Sequence, residues 1–187
     1  MRFRTGLGTL VFGFVLSSLV AQAPSPSVRS FAGGWVLNPQ KSTLSQSSSR
    51  PDRVELSVTQ ASNKIGCEWR FTSRSDGATL TLNFTTDGNE SRIPSTGKET
   101  ALRTLAVPAQ SEPALDDIKV TSKWVGQELS VQTHWMNRNK IGIELDDRWR
   151  LSADRNTLTL DRTSVAPDAS GRTEETHGIL VFERVKN

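Results

Sequence analysis

Cysteine is nearly absent from this chain of 187 residues, because Cys67 is its only one. An intramolecular disulfide is therefore excluded, and a folded domain must be held together by its hydrophobic core. A lone thiol can be reactive, but Cys67 alternates in register with the apolar residues Ile65, Trp69 and Phe71. Alternating residues of a strand share one face. We therefore interpret Cys67 as a small buried hydrophobe.

Histidine is almost as scarce, with only His134 and His177. Neither stands in a metal-ligand spacing such as His-x-His or His-Glu-x-x-His. The chain also lacks a Gly-x-Ser-x-Gly elbow and a glycine-rich phosphate loop. The adjacent acids Asp146 and Asp147 would point to opposite faces of a strand, which makes them a poor catalytic pair. The sequence therefore predicts no catalytic residue, metal site or cofactor, and an enzyme with a site at the barrel mouth remains only as a less favoured alternative.

A large excess of one charge is also missing. The chain has 23 Lys and Arg against 20 Asp and Glu, a formal net charge of +3. Removal of Arg2 and Arg4 with the leader described below lowers this charge by two, to +1. The remaining cations are scattered among acids rather than gathered in a stripe. We expect no nucleic-acid partner.

No apolar run is long enough to span a membrane as a helix. The mostly apolar stretch Leu7 to Val20 falls short of the roughly 20 residues that a span needs. It follows the basic residues Arg2 and Arg4 and precedes Ala21-Gln22-Ala23, an A-x-A cleavage site, and this order is typical of a secretory signal peptide. No cysteine lies near that site to carry a lipid anchor. We expect residues 1–23 to be removed and the protein to be periplasmic or extracellular, without a membrane anchor.

Period-two alternation of apolar and polar residues is abundant in the rest of the chain. After a Ser/Pro tether over residues 24–30, such runs recur to the C-terminus, and each is typical of a half-buried strand. The turn signals between them are Asp76-Gly77, Asp87-Gly88, Val125-Gly126-Gln127 and Asn137 to Asn139. Short connections of this kind favour antiparallel hairpins. The sequence predicts one all-β domain over residues 31–187, a single antiparallel up-and-down β-barrel of about 8–10 strands, with a sandwich as the alternative.

Several motifs resemble those of a known family. Residues 31–42 read FAGGWVLNPQKS, residues 85–90 read TTDGNE, residues 147–160 read DRWRLSADRNTLTL, and residues 181–184 read VFER. In order and spacing they resemble the GxWxLNxxKS opening, DGxE turn, ExWxLSxDGKTLT hairpin and VFEK ending of a bacterial family of small secreted lipocalin-like proteins. The resemblance implies a lipocalin-like barrel. Most of that family has no assigned function, so the resemblance brings no catalytic residue.

The resemblance also implies a structural role for Trp35. In lipocalin-like barrels the tryptophan of the Gly-x-Trp motif closes one end of the barrel, and a basic side chain stacks across it. Such a contact combines burial of a large ring with a cation–π interaction. We expect Trp35 to be this plug, with Arg184 or Arg162 as its partner.

Tyrosine is absent, whereas tryptophan occurs five times. Trp69, Trp124, Trp135 and Trp149 fall on the apolar faces of their runs. They would either line a cavity for an apolar ligand or simply fill the barrel, because about eight strands leave room only for side chains or one small ligand. The residues leave both interpretations open.

Asp147 and Arg162 also fall on apolar faces. Burial of a charge is costly unless the charge is paired. On facing sites of one hairpin, the two side chains would satisfy each other and orient a polar group of a ligand. Near a barrel rim they would be solvated and without function, and the sequence favours this rim placement.

The sequence predicts an exported protein that binds a small apolar or amphipathic ligand inside the barrel. The candidate binding residues are Trp69, Trp124, Trp135, Asp147, Trp149 and Arg162. The alternative is a secreted protein-binding module, for example an inhibitor, that acts through its loops around a filled barrel. Ser91 to Asp116 is too long for a hairpin connection, and it is either a lid or a family-specific insertion. Glu99 to Leu105 within it can form a turn of helix.

The predicted leader makes a direct test possible. Expression of the full chain in a bacterial host should yield a secreted form that begins at or close to Pro24, because the A-x-A site ends at Ala23. Intact-mass and N-terminal peptide analysis of the exported fraction measure this start. Recovery of the uncleaved chain in the membrane fraction alone would contradict the signal-peptide interpretation.

Overall fold

The computed structural model describes residues 30–43, 51–74, 77–105, 116–136, 140–167 and 172–186, and it has ten strands and one short helix there. In chain order these are β1 (Gly33–Leu37), β2 (Arg53–Ala61), β3 (Lys64–Thr72), β4 (Gly77–Thr85), β5 (Asp87–Ile93), α1 (Glu99–Leu105), β6 (Ile118–Val125), β7 (Glu128–Met136), β8 (Gly142–Leu151), β9 (Thr157–Pro167) and β10 (Thr173–Arg184). The predicted leader and nearly all of the tether lie outside these ranges. Within them, no helix has the length and apolar character needed to cross a membrane.

The strands form one antiparallel sheet in the order β4-β3-β2-β1-β10-β9-β8-β7-β6-β5. Consecutive strands are therefore neighbours, as in a meander. The one long-range pairing joins β1 to β10 with Trp35 opposite Arg184, and it rolls the sheet into a barrel. The prediction of an all-β, up-and-down barrel of 8–10 strands is confirmed, and the sandwich alternative is wrong.

The barrel is nearly rather than fully closed, because β4 and β5 stand at the two ends of the hydrogen-bonded order. Side chains bridge this seam. The Ser122 hydroxyl donates to the Thr85 carbonyl oxygen at 2.8 Å, and the Thr85 N–H donates to the Ser91 hydroxyl at 3.4 Å. These bonds satisfy the backbone groups of Thr85 that a ladder would otherwise pair.

The hairpin expected around Asp87-Gly88 is therefore wrong, although the chain does turn there. The Asp87 carboxylate accepts hydrogen bonds from the Thr85 hydroxyl at 2.6 Å and from the Asn89 N–H at 3.1 Å. Gly88 has a φ of +85°. The register then shifts between Asp87 and Glu90, and β5 continues along β6 instead of folding back on β4. The carboxylate thus turns the chain across the seam.

One hydrophobic core fills the interior, and the strands follow the predicted alternation. Its largest fully buried side chains are Trp35, Trp135, Trp149, Phe31, Phe182, Leu56, Ile65, Leu80, Leu102, Ile118, Leu129 and Ile143. Burial of each such side chain stabilises the fold by about 1.5–3 kcal/mol. This core holds together a chain that has no disulfide.

Trp35 closes one end of the barrel. Its ring is 1% exposed, its indole N–H donates to the Phe31 carbonyl oxygen at 2.9 Å, and the Arg184 guanidinium carbon lies 4.3 Å from the ring centroid. The same guanidinium donates to the carbonyl oxygens of Ala32 and Arg155. Of the two arginines considered from the sequence, the structure places Arg184 across Trp35, whereas Arg162 lies elsewhere.

The turn that follows β1 ties it to β10. The Asn38 N–H donates to the Val181 carbonyl oxygen at 2.7 Å, and the Ser42 hydroxyl links the Asn38 carbonyl oxygen to the Val181 N–H. Lys41 Nζ and Asn38 Nδ2 each donate to a Glu183 carboxylate oxygen at 2.9 Å, and these bonds hold the pKa of the Glu183 carboxyl below its usual value. The polar residues of the first motif are therefore structural.

The long connection from Ser91 to Asp116 is partly regular. Its first residues belong to β5, and residues 99–105 form α1, as the sequence allowed. Ala101 and Leu102 are buried in the core, and the helix packs against β3 and β4. Residues 106–115 lie outside the described part of the chain. The helical part is thus integral to the barrel.

Gly33 provides a test of the plug. Its φ is +141°, and a Cβ there would lie 2.5 Å from Arg184 Nη1. Gly33→Ala should therefore lower the free energy of unfolding by about 1–3 kcal/mol, through backbone strain and displacement of the guanidinium. Gly34→Ala is the matched control, because a Cβ at Gly34 meets only Val185 at 3.5 Å, and it should change stability by less than about 0.5 kcal/mol. Urea unfolding followed by tryptophan fluorescence measures both, and equal losses would contradict the plug geometry.

Candidate functional site

A cavity of about 320 Å³ lies at the barrel end away from Trp35. It exists because β1 has five residues and β10 has twelve, so β1 leaves the sheet after Leu37. Beyond that point β1 no longer separates the start of β2 from the first half of β10. A single bridge between Thr43 and Ile179 spans this region. Among the described residues, the short first strand thus leaves this end of the sheet less covered than the Trp35 end.

Gly178 permits that bridge. A Cβ at Gly178 would lie 2.7 Å from the Thr43 carbonyl oxygen, closer than real Cβ atoms approach another atom. With glycine there, the Thr43 N–H donates to the Ile179 carbonyl oxygen at 2.9 Å, and the Ile179 N–H donates to the Thr43 hydroxyl at 2.8 Å. The absence of a side chain at Gly178 therefore sets how closely the chain after β1 approaches β10.

The inner wall of the cavity is apolar and aromatic. It is formed by Val54, Trp69, Phe71, Leu180 and Phe182. Trp69 stacks on Phe71 with ring centroids 6.2 Å apart, and it meets Phe182 edge-on at 5.8 Å. Alternation places Trp69 and Phe71 on one face of β3, opposite Leu56 and Val54 of β2. This wall offers a flat indole and two phenyl rings to an apolar molecule.

The outer part of the cavity is polar and partly solvated. Asp52, Arg53, Thr104 and His177 line it. The Arg53 and His177 side chains are 57% and 63% exposed. Thr104 belongs to α1, so the helix within the long connection contributes to the cavity wall.

A buried ion pair borders the inner wall. Asp147 of β8 and Arg162 of β9 are cross-strand neighbours, and Arg162 Nε and Nη2 each donate to a separate Asp147 oxygen at 2.7 Å. Their side chains are 6% and 10% exposed. The Arg162 guanidinium carbon also lies 5.9 Å from the Trp69 ring centroid. The two side chains therefore occupy facing sites and satisfy each other, and the favoured rim placement is wrong because both lie on the buried faces of their strands.

Cys67 is buried close to this pair. Burial raises the pKa of its thiol far above the usual value, and the negative charge of Asp147 raises it further. The group therefore stays a protonated thiol near neutral pH. The sequence-based interpretation of Cys67 as a small buried hydrophobe agrees with this environment.

Three of the candidate tryptophans lie away from the cavity. Trp124 stacks on Phe31 at 5.5 Å, and Trp149 meets the same ring edge-on at 5.6 Å, so both belong to the end that Trp35 closes. Trp135 is fully buried. Within the described residues, the indole N–H groups of Trp135 and Trp149 are buried without a hydrogen-bond partner. None of the three is among the residues that line the cavity, whereas Trp69 and Arg162 are.

Sequence reasoning did not single out Phe71, Ser164, Leu180 or Phe182 as binding residues. Phe71 shares the apolar face of Trp69, and that periodicity is the signal that would have found it. Leu180 and Phe182 alternate in β10 in the same way. Nothing in the sequence shows which end of each strand faces the cavity, because that depends on the register with distant strands.

Within the described ranges, no three His, Cys, Asp or Glu side chains come close enough together to hold a metal ion. His177 is exposed and lies 3.3 Å from Asp161 on the outer face of the barrel. His134 is half-buried on β7. The cavity combines an apolar inner wall with a few polar side chains at its edge.

No protein-family model and no curated protein matches the sequence. Among solved structures, the fold is similar to zebrafish ileal bile acid-binding protein complexed with cholic acid, with 14% identity and a TM-score of 0.49, over 83% of this chain and 98% of that chain. It is also similar to the fatty-acid-binding protein isolated from Manduca sexta, with 10% identity and a TM-score of 0.42, over 82% of this chain and 99% of that chain. At these levels no ligand and no residue role transfers to this chain.

The buried ion pair leads to a stability prediction. Arg162→Met alone should lower the free energy of unfolding by about 3–5 kcal/mol, because it leaves the Asp147 carboxylate buried without its partner. The double variant Asp147→Leu/Arg162→Met should recover most of that loss, since it removes both charges. Urea unfolding of the single and double variants checks this comparison. A double variant as unstable as the single one would show that the loss comes from packing rather than from an unpaired charge.

Proposed function

We propose that this protein is an exported lipocalin-like barrel that binds a small apolar or amphipathic molecule in the cavity at its open end. The observation that carries the proposal is the cavity itself, with about 320 Å³ of space against an inner wall of Val54, Trp69, Phe71, Leu180 and Phe182. Small-molecule sites in proteins typically have about 300–1,000 Å³, mostly apolar walls and a few placed polar groups. This cavity has that composition, with Arg162 and Ser164 as buried polar members.

The proposal of export comes from the sequence. The basic start, the apolar stretch Leu7 to Val20 and the A-x-A site at residues 21–23 support a cleaved signal peptide. The motifs at residues 31–42 and 147–160 support kinship with the bacterial secreted lipocalin-like proteins. The proposed place of action is therefore the periplasm or the extracellular medium, where a soluble carrier of apolar molecules would be useful.

The binding mechanism is burial of apolar surface rather than chemistry. A ligand that hides about 400 Å² of apolar surface gains roughly 10 kcal/mol at 25 cal/mol/Å². Association costs at least about 4 kcal/mol in lost freedom. The remainder of about 6 kcal/mol corresponds to affinity of tens of micromolar. Trp69 would contribute an aromatic face to the contact, and α1 would bring Thr104 to the wall of the site.

A fluorescent apolar probe tests the proposal. Titration of the protein with 1-pyrenebutanol should show saturable one-to-one binding by energy transfer from tryptophan. Trp69→Leu should weaken binding by about tenfold, because the indole forms the flat part of the wall. Affinity is taken from the midpoint of saturation, since each substitution also removes an energy donor.

Trp124→Leu is the matched control. Trp124 is half-buried and packs on Phe31 near Trp35, so its loss should leave the affinity within about twofold. Equal loss of affinity in both variants would place the probe elsewhere. Absence of energy transfer at high probe concentration would mean that the barrel does not admit such a ligand, and a protein partner would then be the function to seek.

A further inference from the structure

Every basic side chain among the described residues that line the cavity has a carboxylate beside it. Among the described lining residues, the cationic or basic side chains are Arg53, Arg162 and His177. Each of them lies against a carboxylate of this chain. Asp52 adds a further carboxylate to the lining. The described lining therefore has no excess of positive charge, because a carboxylate accompanies each basic side chain.

The most buried of these ion pairs is that of Arg162 and Asp147, in the inner part of the cavity. Both oxygens of Asp147 accept hydrogen bonds from the Arg162 guanidinium at 2.7 Å, and the pair is about nine-tenths buried. Water and salt screen such a buried pair little. A ligand carboxylate placed at Arg162 would lie beside the Asp147 carboxylate, so two anions would share one cation in a poorly solvated place. That arrangement disfavours an acid at this position.

The basic side chains in the outer part of the cavity also have carboxylate partners. Arg53 Nη2 lies 2.7 Å from a Glu55 oxygen, and His177 Nε2 lies 3.3 Å from an oxygen of Asp161. Asp161 also holds Arg150 at 2.8 Å on the outer face. A carboxylate that stayed at the mouth would thus meet basic side chains that already have acidic partners.

Neutral hydrogen-bonding groups are present on the same wall. The side chains of Ser164, which is buried, and Thr176, which is half-buried, line the cavity together with the aromatic residues. A hydroxyl both donates and accepts hydrogen bonds. These residues suit an uncharged oxygen or nitrogen on an otherwise apolar molecule.

We propose that the cavity selects uncharged amphipathic molecules, such as alcohols, amides or esters with an apolar body, and rejects the corresponding carboxylates. Asp147 determines this selectivity, because it compensates the one buried cation among the described lining residues. The inference rests on the proposed function of the cavity as a ligand site. It names the chemical class of the ligand, which that function leaves open.

The test compares two probes that differ only in charge, 1-pyrenebutanol and 1-pyrenebutyrate, near neutral pH. The alcohol should bind at least about tenfold more tightly than the acid. Binding of neither probe would overturn the proposed function itself. Binding of both with equal affinity, or tighter binding of the acid, would leave that function in place and overturn the selectivity.

Asp147→Asn examines the cause of the selectivity. The amide keeps one oxygen that accepts from Arg162 and removes the negative charge, so the acid should bind at least about fivefold more tightly than to the unaltered protein, with the alcohol changed less than about twofold. Asp146→Asn makes the same change of net charge on the exposed outer face of β8, and it should alter neither affinity. A gain for the acid in both variants would assign the effect to overall charge and overturn the role of Asp147.

Circular dichroism and urea unfolding show whether Asp147→Asn is folded. If it is not, Asp147→Leu/Arg162→Met provides the second measurement, since it removes both charges together. The preference for the alcohol should then persist at no less than about tenfold, because the acid would meet an apolar wall without a cation. A double variant that bound the acid as tightly as the alcohol would contradict the proposal.

Discussion

The pairing of β1 with β10 is the contact on which the rest of this barrel depends. It is the pairing between the first and last strands that turns a meander into a barrel, and it places Arg184 across Trp35. Because β1 has only five residues, strand pairing continues at the Trp35 end, whereas beyond Leu37 the described chain is joined to β10 by hydrogen bonds of Asn38 and Ser42 and by the Thr43–Ile179 bridge. The plug and the cavity are therefore two results of one short strand.

The aromatic residues divide along the barrel axis in agreement with this asymmetry. Phe31, Trp35, Trp124 and Trp149 pack together at the closed end, where large rings fill the space between strands. Trp69, Phe71 and Phe182 lie at the other end, where they line the cavity. The sequence left core filling and ligand binding open for the tryptophans as a group, and the structure separates them by position: Trp124 and Trp149 pack on Phe31 at the Trp35 end, whereas Trp69 lines the cavity.

Much of the architecture could be predicted from the sequence, and the failures have physical causes. Period-two alternation identified the strands because the two faces of each strand meet different environments. The hairpin at Asp87-Gly88 failed because a carboxylate that bonds Thr85 and Asn89 turns the chain across the seam, which turn composition does not reveal. The rim placement of Asp147 and Arg162 failed because only the register of β8 on β9 shows that the two charges face each other.

The sequence by itself determined the fold class, the inward faces of the strictly alternating runs, the burial of Cys67 and the Gly-x-Trp opening, because these follow from local spacing and residue type. The tertiary structure decided which inward residues meet. Phe31 reaches Trp124 and Trp149, and Trp69 reaches Phe182 and Arg162, only through the stagger of strands that are far apart in the chain. The position of a side chain along the barrel axis depends on that stagger, which separates the rings that pack at the Trp35 end from those that line the cavity.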